Sequence, residues 1–341
     1  MDVTTGAPPA VTVVMAAYNA QDHIARAIES VLAQSFAGWE LICIDDGSTD
    51  ATQSMIRAYA QRDPRIRLLS QDNAGPAEAR RKGYVAARGA HVILLDADDW
   101  FGPTALEDLV DCARHADADA IMCRWLLRDG DTGAWVSFYE RHGFHPGDRF
   151  TGRAAFAHTF PWRLHGVCLF RSAIIKTAAT DPRDAFNGYN SDEFITRKLF
   201  LACRHIVLGR GDYFHADTPA SLTRSLSWRK FTGLQTDRRL TDLALEEGIG
   251  QEVLAAVLDW QKDGLRAAVW QLARHGGDGR APLAIREILR SLRHLRRAAL
   301  RAGVGFRRAP FLLDIGGVAA RGLARRWPVL RRVHRKLRPQ T

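Results

Sequence analysis

The sequence predicts an α/β fold over residues 1–225, with a mostly parallel sheet flanked by helices, followed by a helical region over residues 226–341. Three observations predict this architecture. Short apolar runs alternate with segments of helical periodicity over the first hundred residues, as they do in βαβ units. Acidic residues directly follow two of these runs, which is typical of strand ends that bind a ligand. After Trp228 the hydrophobic periodicity is helical throughout.

The first part of the α/β region alternates strands and helices. Its apolar runs indicate strands that are buried on both faces, as is usual inside an α/β sheet. Gly47 permits a tight turn between the second strand and the helix that follows it. In chain order the predicted elements are a strand at 11–15, a helix at 24–32, a strand at 39–44, a helix ending near 60, a strand at 66–70, a helix at 75–88 and a strand at 91–95.

The second part of the α/β region has a less regular pattern. Residues 140–162 are rich in His, Gly, Pro and Arg without a clear period, so they receive no assignment. A turn at 129–133 predicts a hairpin. The predicted elements are a helix ending near 115, a strand at 120–125, a second hairpin strand at 134–139, a strand at 167–170, a helix at 191–202 and short strands at 206–208 and 213–215.

Acidic clusters end two of the predicted strands. Asp45 and Asp46 follow the second strand, and Asp96, Asp98 and Asp99 follow the strand at 91–95. In a doubly wound sheet both clusters lie at one edge and can share a ligand. Closely spaced carboxylates need a positive partner, and a hard divalent cation that also holds a phosphate would supply it. The alternative is that Asp99 caps the helix that follows.

Composition and missing motifs exclude several classes. Five cysteines without a C-x-x-C pair fit a reducing compartment and argue against disulfides and a zinc site. No signal segment opens the chain and no apolar run is long enough to span a membrane, so we expect a cytoplasmic protein, soluble or peripheral. The chain lacks G-x-G-x-x-G after its first strand and lacks G-x-x-x-x-G-K-[ST], which disfavours a dinucleotide-binding domain and a P-loop phosphotransferase.

Four motifs in order carry a resemblance to a known family. They are VVMAAYN at 13–19, IDDGSTD at 44–50, NAGPAEARRKG at 73–83 and LLDADDW at 94–100. Together they resemble the GT-A-fold, family 2 inverting glycosyltransferases that build bacterial surface polysaccharides, over about residues 10–225. The resemblance implies a nucleotide-diphosphate sugar donor, usually a UDP-sugar, a Mn²⁺ or Mg²⁺ ion, and a glycan or lipid-linked acceptor. It implies no covalent enzyme intermediate. We expect no nucleic-acid partner, because no pattern of aromatic residues interleaved with the basic ones supports one.

The resemblance also implies roles for individual residues. Asp46 matches the acid that contacts the base, and Arg80 lies in a segment near the nucleotide, where Arg81 replaces the family's Asn. The residues expected to bind the nucleotide-sugar are Ala16, Tyr18, Asn19, Asp46, Arg80, Asp96 and Ala97. The expected metal ligands are Asp96, Asp98 and Asp99.

The expected catalytic base is Asp192, which matches a later acidic motif of the family. That motif is usually Glu-Asp, whereas here it is Ser191-Asp192-Glu193, so Glu193 remains the alternative base. A carboxylate in this role removes the acceptor hydroxyl proton as the new bond forms. No Q-x-x-R-W sequence follows Asp192, which indicates transfer of a single sugar and not processive synthesis.

The sequence leaves two alternative functions and one further candidate site open. A sugar-nucleotidyltransferase also binds a nucleotide at such a sheet edge, but it would need a Gly-rich loop where Ala16–Asn19 lie. A catalytically inactive nucleotide-sugar-binding protein is the other alternative, against which the intact acidic residues argue. Trp162 stands where such enzymes often place acceptor-side residues, and a role in closing the core is an equal alternative.

The C-terminal tail is strongly basic. Sixteen Lys and Arg residues and only two acids lie after residue 280, whereas the whole chain has a net charge of +10. Arginines alternate there with two apolar stripes at helical spacing, which predicts amphipathic helices suited to an anionic membrane surface, such as the inner face of the plasma membrane. The alternative is a helical cap with a solvated basic face. The stripes consist of Ile285, Ile288, Leu289, Leu292, Leu295 and Ala299, and of Leu323, Trp327, Leu330, Val333 or His334, and Leu337.

Overall fold

The computed structural model describes residues 8–186, 188–216, 228–275 and 281–303. The chain divides into two compact units. The first comprises residues 1–187 and 191–219, and the second comprises residues 188–190 and 220–341. The predicted boundary between residues 225 and 226 falls within 217–227, outside the described residues.

The amino-terminal half of the first unit follows the predicted alternation closely. Its elements are β1 (Val11–Ala17), α1 (Ile24–Leu32), β2 (Trp39–Asp45), α2 (Thr52–Arg62), β3 (Ile66–Ser70), α3 (Pro76–Ala86) and β4 (His91–Leu94). The four strands are parallel in the order β3-β2-β1-β4. Every residue of β2 is buried, as expected for a strand covered by helices on both faces. The predicted α/β fold is confirmed.

The rest of the first unit extends the sheet. The elements are β5 (Trp100–Phe101), α4 (Ala105–His115), β6 (Ala120–Arg128), β7 (Trp135–Ser137), α5 (Phe138–Arg141), β8 (Arg149–Thr151), α6 (Gly152–Ala157), β9 (Cys168–Arg171), α7 (Ser172–Ala178), α8 (Ser191–Ala202) and β10 (His205–Phe214). The main sheet has the order β3-β2-β1-β4-β9-β6-β10-β5. Strand β9 is antiparallel to both β4 and β6, whereas β6 and β10 are parallel.

Two strand predictions need correction. The short strands predicted at 206–208 and 213–215 form one strand, β10, whose register against β6 shifts between Leu208 and Asp212. Gly211 lies within this shift and lets β10 approach α4 closely, because a Cβ there would lie 2.6 Å from the carbonyl oxygen of Ala105. The hairpin strand predicted to reach residue 139 ends at Ser137, whose hydroxyl accepts a hydrogen bond from the Glu140 N–H and caps α5.

The second unit contains the helices α9 (Gly233–Glu246), α10 (Gln251–His275) and α11 (Ala281–Arg301), which confirms the helical prediction for this region. Helix α11 packs on α9 and α10 through its predicted apolar stripe, in which Ile285, Ile288, Leu295 and Ala299 are buried. The stripe is therefore core, and the expectation that this stripe faces a membrane is wrong. The second stripe, at 323–337, lies outside the described residues.

None of the helices in the described ranges is long and apolar enough to cross a lipid bilayer.

Candidate active site

The parallel strands bring both acidic clusters to one edge of the sheet. Ala17 at the end of β1 is in register with Asp45 of β2, and Val14 is in register with Leu94 of β4. The Asp46 N–H continues the pairing by donating to the Ala17 carbonyl at 2.9 Å. The residues that follow β1, β2 and β4 therefore line one rim, as the sequence predicted.

The loop after β1 is tied to the loop after β2 through Asn19. Its side-chain oxygen accepts hydrogen bonds from the Thr49 N–H at 2.9 Å and from the Thr49 hydroxyl, and its own N–H donates to the Ser48 hydroxyl. Asn19 adopts a φ of 48°, which Asn tolerates better than most residues. Beside it Ala16 is half-buried, whereas the Tyr18 side chain is 51% exposed at the rim. Asn19 thus shapes the loop and Tyr18 presents a free aromatic face.

Asp46 is buried and organises the loop that leads into α3. Its carboxylate accepts hydrogen bonds from the Gln71 side-chain amide at 2.8 Å, the Ala74 N–H at 2.8 Å and the Gly75 N–H at 2.9 Å. A carboxylate has about four acceptor positions, so one remains for a ligand. The contact of Asp46 with a nucleotide base stays a prediction. Its structural role is to hold the loop before α3 through these three hydrogen bonds.

Arg80 joins the end of β4 to the start of α8. Its Nη2 lies 2.8 Å from Asp96 Oδ1 and its Nη1 lies 3.5 Å from Asp192 Oδ2. Arg80 can reach both because α3 lies directly on the sheet at Gly83, where an added Cβ would meet Val14 at 2.4 Å. Burial raises the pKa of Asp96, but the Arg80 guanidinium more than offsets this effect and holds the pKa below its usual value.

Asp99 and Asp98 are neighbours with different surroundings. Asp99 is buried and accepts hydrogen bonds from the Tyr213 hydroxyl at 2.6 Å, the Ala216 N–H at 2.8 Å and His215 Nδ1 at 3.1 Å. Asp98 is half-buried, and burial together with the charges of Asp99 and Asp96 raises its pKa to about 6. Ala97, between the motif's acids, is half-buried. Asp98 therefore has the most to gain from a cation.

The donor set fits a divalent metal that is shared with a phosphate. Within the described ranges, no three His, Cys, Asp or Glu side chains converge as a complete protein cage. Mg²⁺ and similar hard cations are often held by one or two carboxylates together with substrate phosphates and water. Asp98, with its poorly compensated charge, suits such a site, and Asp96 and Asp99 flank it. Their role as ligands stays a prediction.

The two candidate bases on α8, Asp192 and Glu193, differ in their exposure and in how tightly a protein partner holds them. Asp192 is in the first turn, with its side chain 49% exposed. Glu193 forms an ion pair with the fully buried Arg197, which also donates from Nε to the Thr159 hydroxyl at 2.9 Å. Glu193 therefore holds a buried cation in place, and Asp192 is the carboxylate that a substrate can reach.

An aromatic group lies beside the first turn of α8. His165 stacks on Trp125 with ring centres 4.2 Å apart, and Trp162, 37% exposed, meets both rings edge-on. Gly166 packs so tightly on Thr196 of α8 that a Cβ there would lie 2.0 Å from the threonine methyl. Burial lowers the pKa of His165, which the charges of Glu193 and Asp192 only partly offset. Trp162 thus packs in an aromatic cluster with His165 and is also partly exposed to solvent.

Sequence reasoning missed the residues that support the motif from a distance. Tyr213 accepts a hydrogen bond from the Asp96 N–H at 3.2 Å in addition to its donation to Asp99. Arg26 of α1 donates to the Asp98 carbonyl at 2.6 Å and stacks over Trp100 at 3.9 Å. Arg26 stands on a helix whose pattern shows only amphipathicity, so no local signal could have identified it.

The sequence is similar to those of known proteins over part of its length. Residues 12–178 match Glycosyl transferase family 2. The succinoglycan biosynthesis protein ExoO of Rhizobium meliloti is 46% identical over 111 residues, which cover 32% of this chain and 31% of that protein. The chain spans only 31–37% of the length of the first curated relatives it matches.

Solved structures share the fold over most of the chain. S. aureus TarS in complex with UDP-GlcNAc gives a TM-score of 0.60 at 16% identity, covering 87% of this chain and 93% of that one. The mannosyltransferase PcManGT from Pyrobaculum calidifontis, in complex with GDP-Man and Mn²⁺, gives 0.55 at 18% identity, covering 88% and 89%. Taken with the four motifs and the acidic rim, these matches mean that the chain contains a glycosyl transferase family 2 domain over residues 12–178 and has a GT-A fold.

Proposed function

We propose that the protein is a metal-dependent, inverting and non-processive glycosyltransferase that moves one sugar from a nucleotide-diphosphate sugar to a hydroxyl of a cell-envelope glycan or lipid-linked acceptor. The observation that carries this proposal is the contact of Arg80 with both Asp96 and Asp192. It joins the acid of the expected donor site to the expected base. Support for the substrate classes comes from ExoO, a succinoglycan biosynthesis protein, and from TarS, which binds UDP-GlcNAc.

The donor would lie along the rim of strand ends. Tyr18 offers a ring to the base, and the remaining acceptor position of Asp46 suits a base N–H, as in uracil. Asp96, which its low pKa keeps ionised, would accept from the ribose or align the diphosphate through Arg80. A bound Mn²⁺ or Mg²⁺ would offset the negative charge on the departing nucleoside diphosphate, with Asp98 and its neighbours as ligands.

The acceptor would approach from the side of Asp192. Displacement with inversion needs a base on the face of the sugar opposite the leaving group. Asp192 is half-exposed, and the Arg80 guanidinium contacts both it and Asp96, so the expected base is held apart from the acid of the donor site. Trp162 packs against His165, whose pKa is lowered by burial and partly restored by nearby carboxylates that include Asp192, and it offers a partly exposed ring on which an acceptor sugar could stack. Direct displacement by the acceptor hydroxyl requires no covalent enzyme intermediate.

The test is nucleotide release from a panel of UDP-, GDP- and dTDP-sugars, measured with Mn²⁺ and with EDTA. Slow release of one nucleotide that requires the metal would support the proposal and name the donor. Asp192→Asn should abolish transfer to an added acceptor while nucleotide binding persists in a thermal-shift assay. Absence of both turnover and nucleotide binding across the panel would contradict the proposal and leave the acidic rim with a structural role.

The enzyme would work at the inner face of the plasma membrane, where a lipid-linked acceptor is accessible. Since the apolar stripe of α11 is buried among α9 and α10, attachment through that stripe is excluded. The exposed face of α11, opposite the buried stripe, is better suited to membrane attachment.

A further inference from the structure

The face of α11 that points away from its neighbours carries a row of arginines. The residues buried against α9 and α10 lie on one side of the helix, and Ala284, Ile288, Leu295 and Ala298 are among them. With about 3.6 residues per turn, the opposite side is occupied by residues offset from these by about half a turn. The outward-facing row, which we call the arginine row, consists of Leu283, Arg286, Arg290, Arg293, Arg297 and Leu300.

The arginine row is straight and exposed along its whole length. Its members follow one another at intervals of three and four residues, so they lie within an arc of about 100° and along about 25 Å of helix. All six residues are exposed. The leucines at its two ends are unusually so, with exposed fractions of 56% for Leu283 and 71% for Leu300. A flat array of cations ending in apolar side chains is thus presented to solvent.

Most of this charge has no counter-charge in the part of the chain that the structure describes. Glu287 is the single acid of α11, and it is shared between Arg238 at 2.9 Å and Arg290 at 2.6 Å. Among the residues that the structure describes, Arg286 and Arg297 form no ion pair, and Arg293 donates only to the Leu289 carbonyl. The row therefore keeps a net positive charge that is available to an external partner.

We propose that the arginine row docks the protein on an anionic lipid surface. The charge of the row is complementary to the headgroups of acidic phospholipids, and its straight 25 Å face matches a plane. Leu283 and Leu300 would enter the interface between headgroups and acyl chains at either end. Nucleic acid is a poorer fit because α11 contains no Phe, Tyr or Trp for base stacking.

This inference deepens the proposed site of action and makes the binding mode specific. Because the apolar stripe is buried, the helix has only two leucines to insert, so attachment depends chiefly on charge. Binding should therefore be reversible and should weaken steeply as ionic strength rises. Vesicle binding is measured without donor or acceptor, so its outcome and that of the sugar-transfer test are independent.

The experiment is co-sedimentation of the full chain with phosphatidylcholine vesicles that do or do not contain phosphatidylglycerol. Because ten further Lys and Arg residues lie after residue 303, the decisive comparison is between two variants of equal net charge. The first carries Arg→Glu at positions 286, 290, 293 and 297. The control carries Arg→Glu at four exposed positions of the first unit, namely Arg57, Arg62, Arg114 and Arg210.

We expect the arginine-row variant to bind phosphatidylglycerol vesicles at least about tenfold more weakly than the wild type, and the control to stay within about twofold. Replacing Leu283 and Leu300 by Ser should weaken binding less while preserving its salt dependence. Equal losses in both charge variants would overturn the proposal, because net charge alone would then explain binding. Wild-type binding to neutral vesicles alone, or to a DNA duplex but not to vesicles, would overturn it as well.

Discussion

The ends of β2 and β4 look alike in sequence and differ in what surrounds their acids. After β2, the Asp46 carboxylate accepts hydrogen bonds from two backbone N–H groups and a side-chain amide, so most of its acceptor positions are occupied by the fold itself. After β4, Asp98 has a pKa raised to about 6 by burial and by the two neighbouring acids. The Asp46 carboxylate has its hydrogen-bond partners in the isolated protein, whereas the Asp98 carboxylate would be stabilised by a bound cation.

The same contrast recurs within a single turn of α8. Glu193 is paired with the buried Arg197, and Asp192 is half-exposed and only loosely held by Arg80 at 3.5 Å. In both places a carboxylate that builds the fold stands close to one that the fold leaves free. Adjacent acids can thus be separated into structural and functional ones by asking which partners each already has, and substitutions can test this separation.

The largest effect is expected for Asp192→Asn. If Asp192 is the general base, its loss should lower the transfer rate by about 10²–10⁴-fold. Its half-exposed side chain supports little of the fold, so the free energy of unfolding should change by less than about 0.5 kcal/mol. Transfer kinetics and urea unfolding of the same preparation measure both quantities. Full activity in this variant would remove Asp192 from the mechanism.

Glu193→Gln is the matched substitution one residue further on. It removes the ion pair between Glu193 and the fully buried Arg197 guanidinium, which should lower the free energy of unfolding by about 3 kcal/mol. The variant should keep its metal requirement and, where folded, most of its activity. A stable Glu193→Gln protein that has lost activity would reverse the assignment and make Glu193 the base.

Substitutions at the two strand ends should change stability in opposite directions. Asp46→Asn gives up acceptor capacity toward backbone N–H groups and should destabilise the protein by about 1–3 kcal/mol. Asp98→Asn should stabilise the metal-free protein at neutral pH by about 1–2 kcal/mol, because the folded state raises the pKa of Asp98 and therefore disfavours its charge. This gain should vanish near pH 4, where the folded-state carboxyl is already protonated. Shifts of the same sign in thermal unfolding would contradict the distinction.

The smallest effect concerns the pH dependence of metal activation. A metal ligand must be deprotonated, and Asp98 takes up a proton as the pH falls through about 6. The apparent affinity for Mn²⁺ should therefore be constant above pH 7 and decline by up to about tenfold for each unit below pH 6. Activation curves between pH 7.5 and 5 measure this decline. A flat affinity down to pH 5 would mean that Asp98 does not bind the metal.

Local patterns were sufficient to predict the strands and helices of the amino-terminal half. An apolar run such as 39–44 has one stable place in an α/β sheet, and Ser191–Ala202 was predicted with the bounds that the structure has. Strand direction was not predictable in this way. The run at Cys168–Arg171 looks like any buried strand, and its antiparallel insertion between β4 and β6 depends on the path of the chain before it.

The residues of the candidate site also divide into those that the sequence identified and those that it did not. The acids, Arg80 and the loop after β1 stand in motifs, so the sequence pointed to them. The partners that decide what each acid does are remote in the chain: Tyr213 and His215 reach Asp99 across more than a hundred residues. The Glu193–Arg197 pair is the exception, because a spacing of four on a helix is readable in advance.

The contact of α3 with the sheet at Gly83 has a consequence for how this protein can evolve. Gly83 bears no functional group, yet a side chain there would collide with Val14 and Ile44 and lift the helix that carries Arg80. In a library of random variants selected for sugar transfer, position 83 should accept almost nothing but glycine. Selection for catalytic activity would then restrict a residue that does not itself contact the substrate.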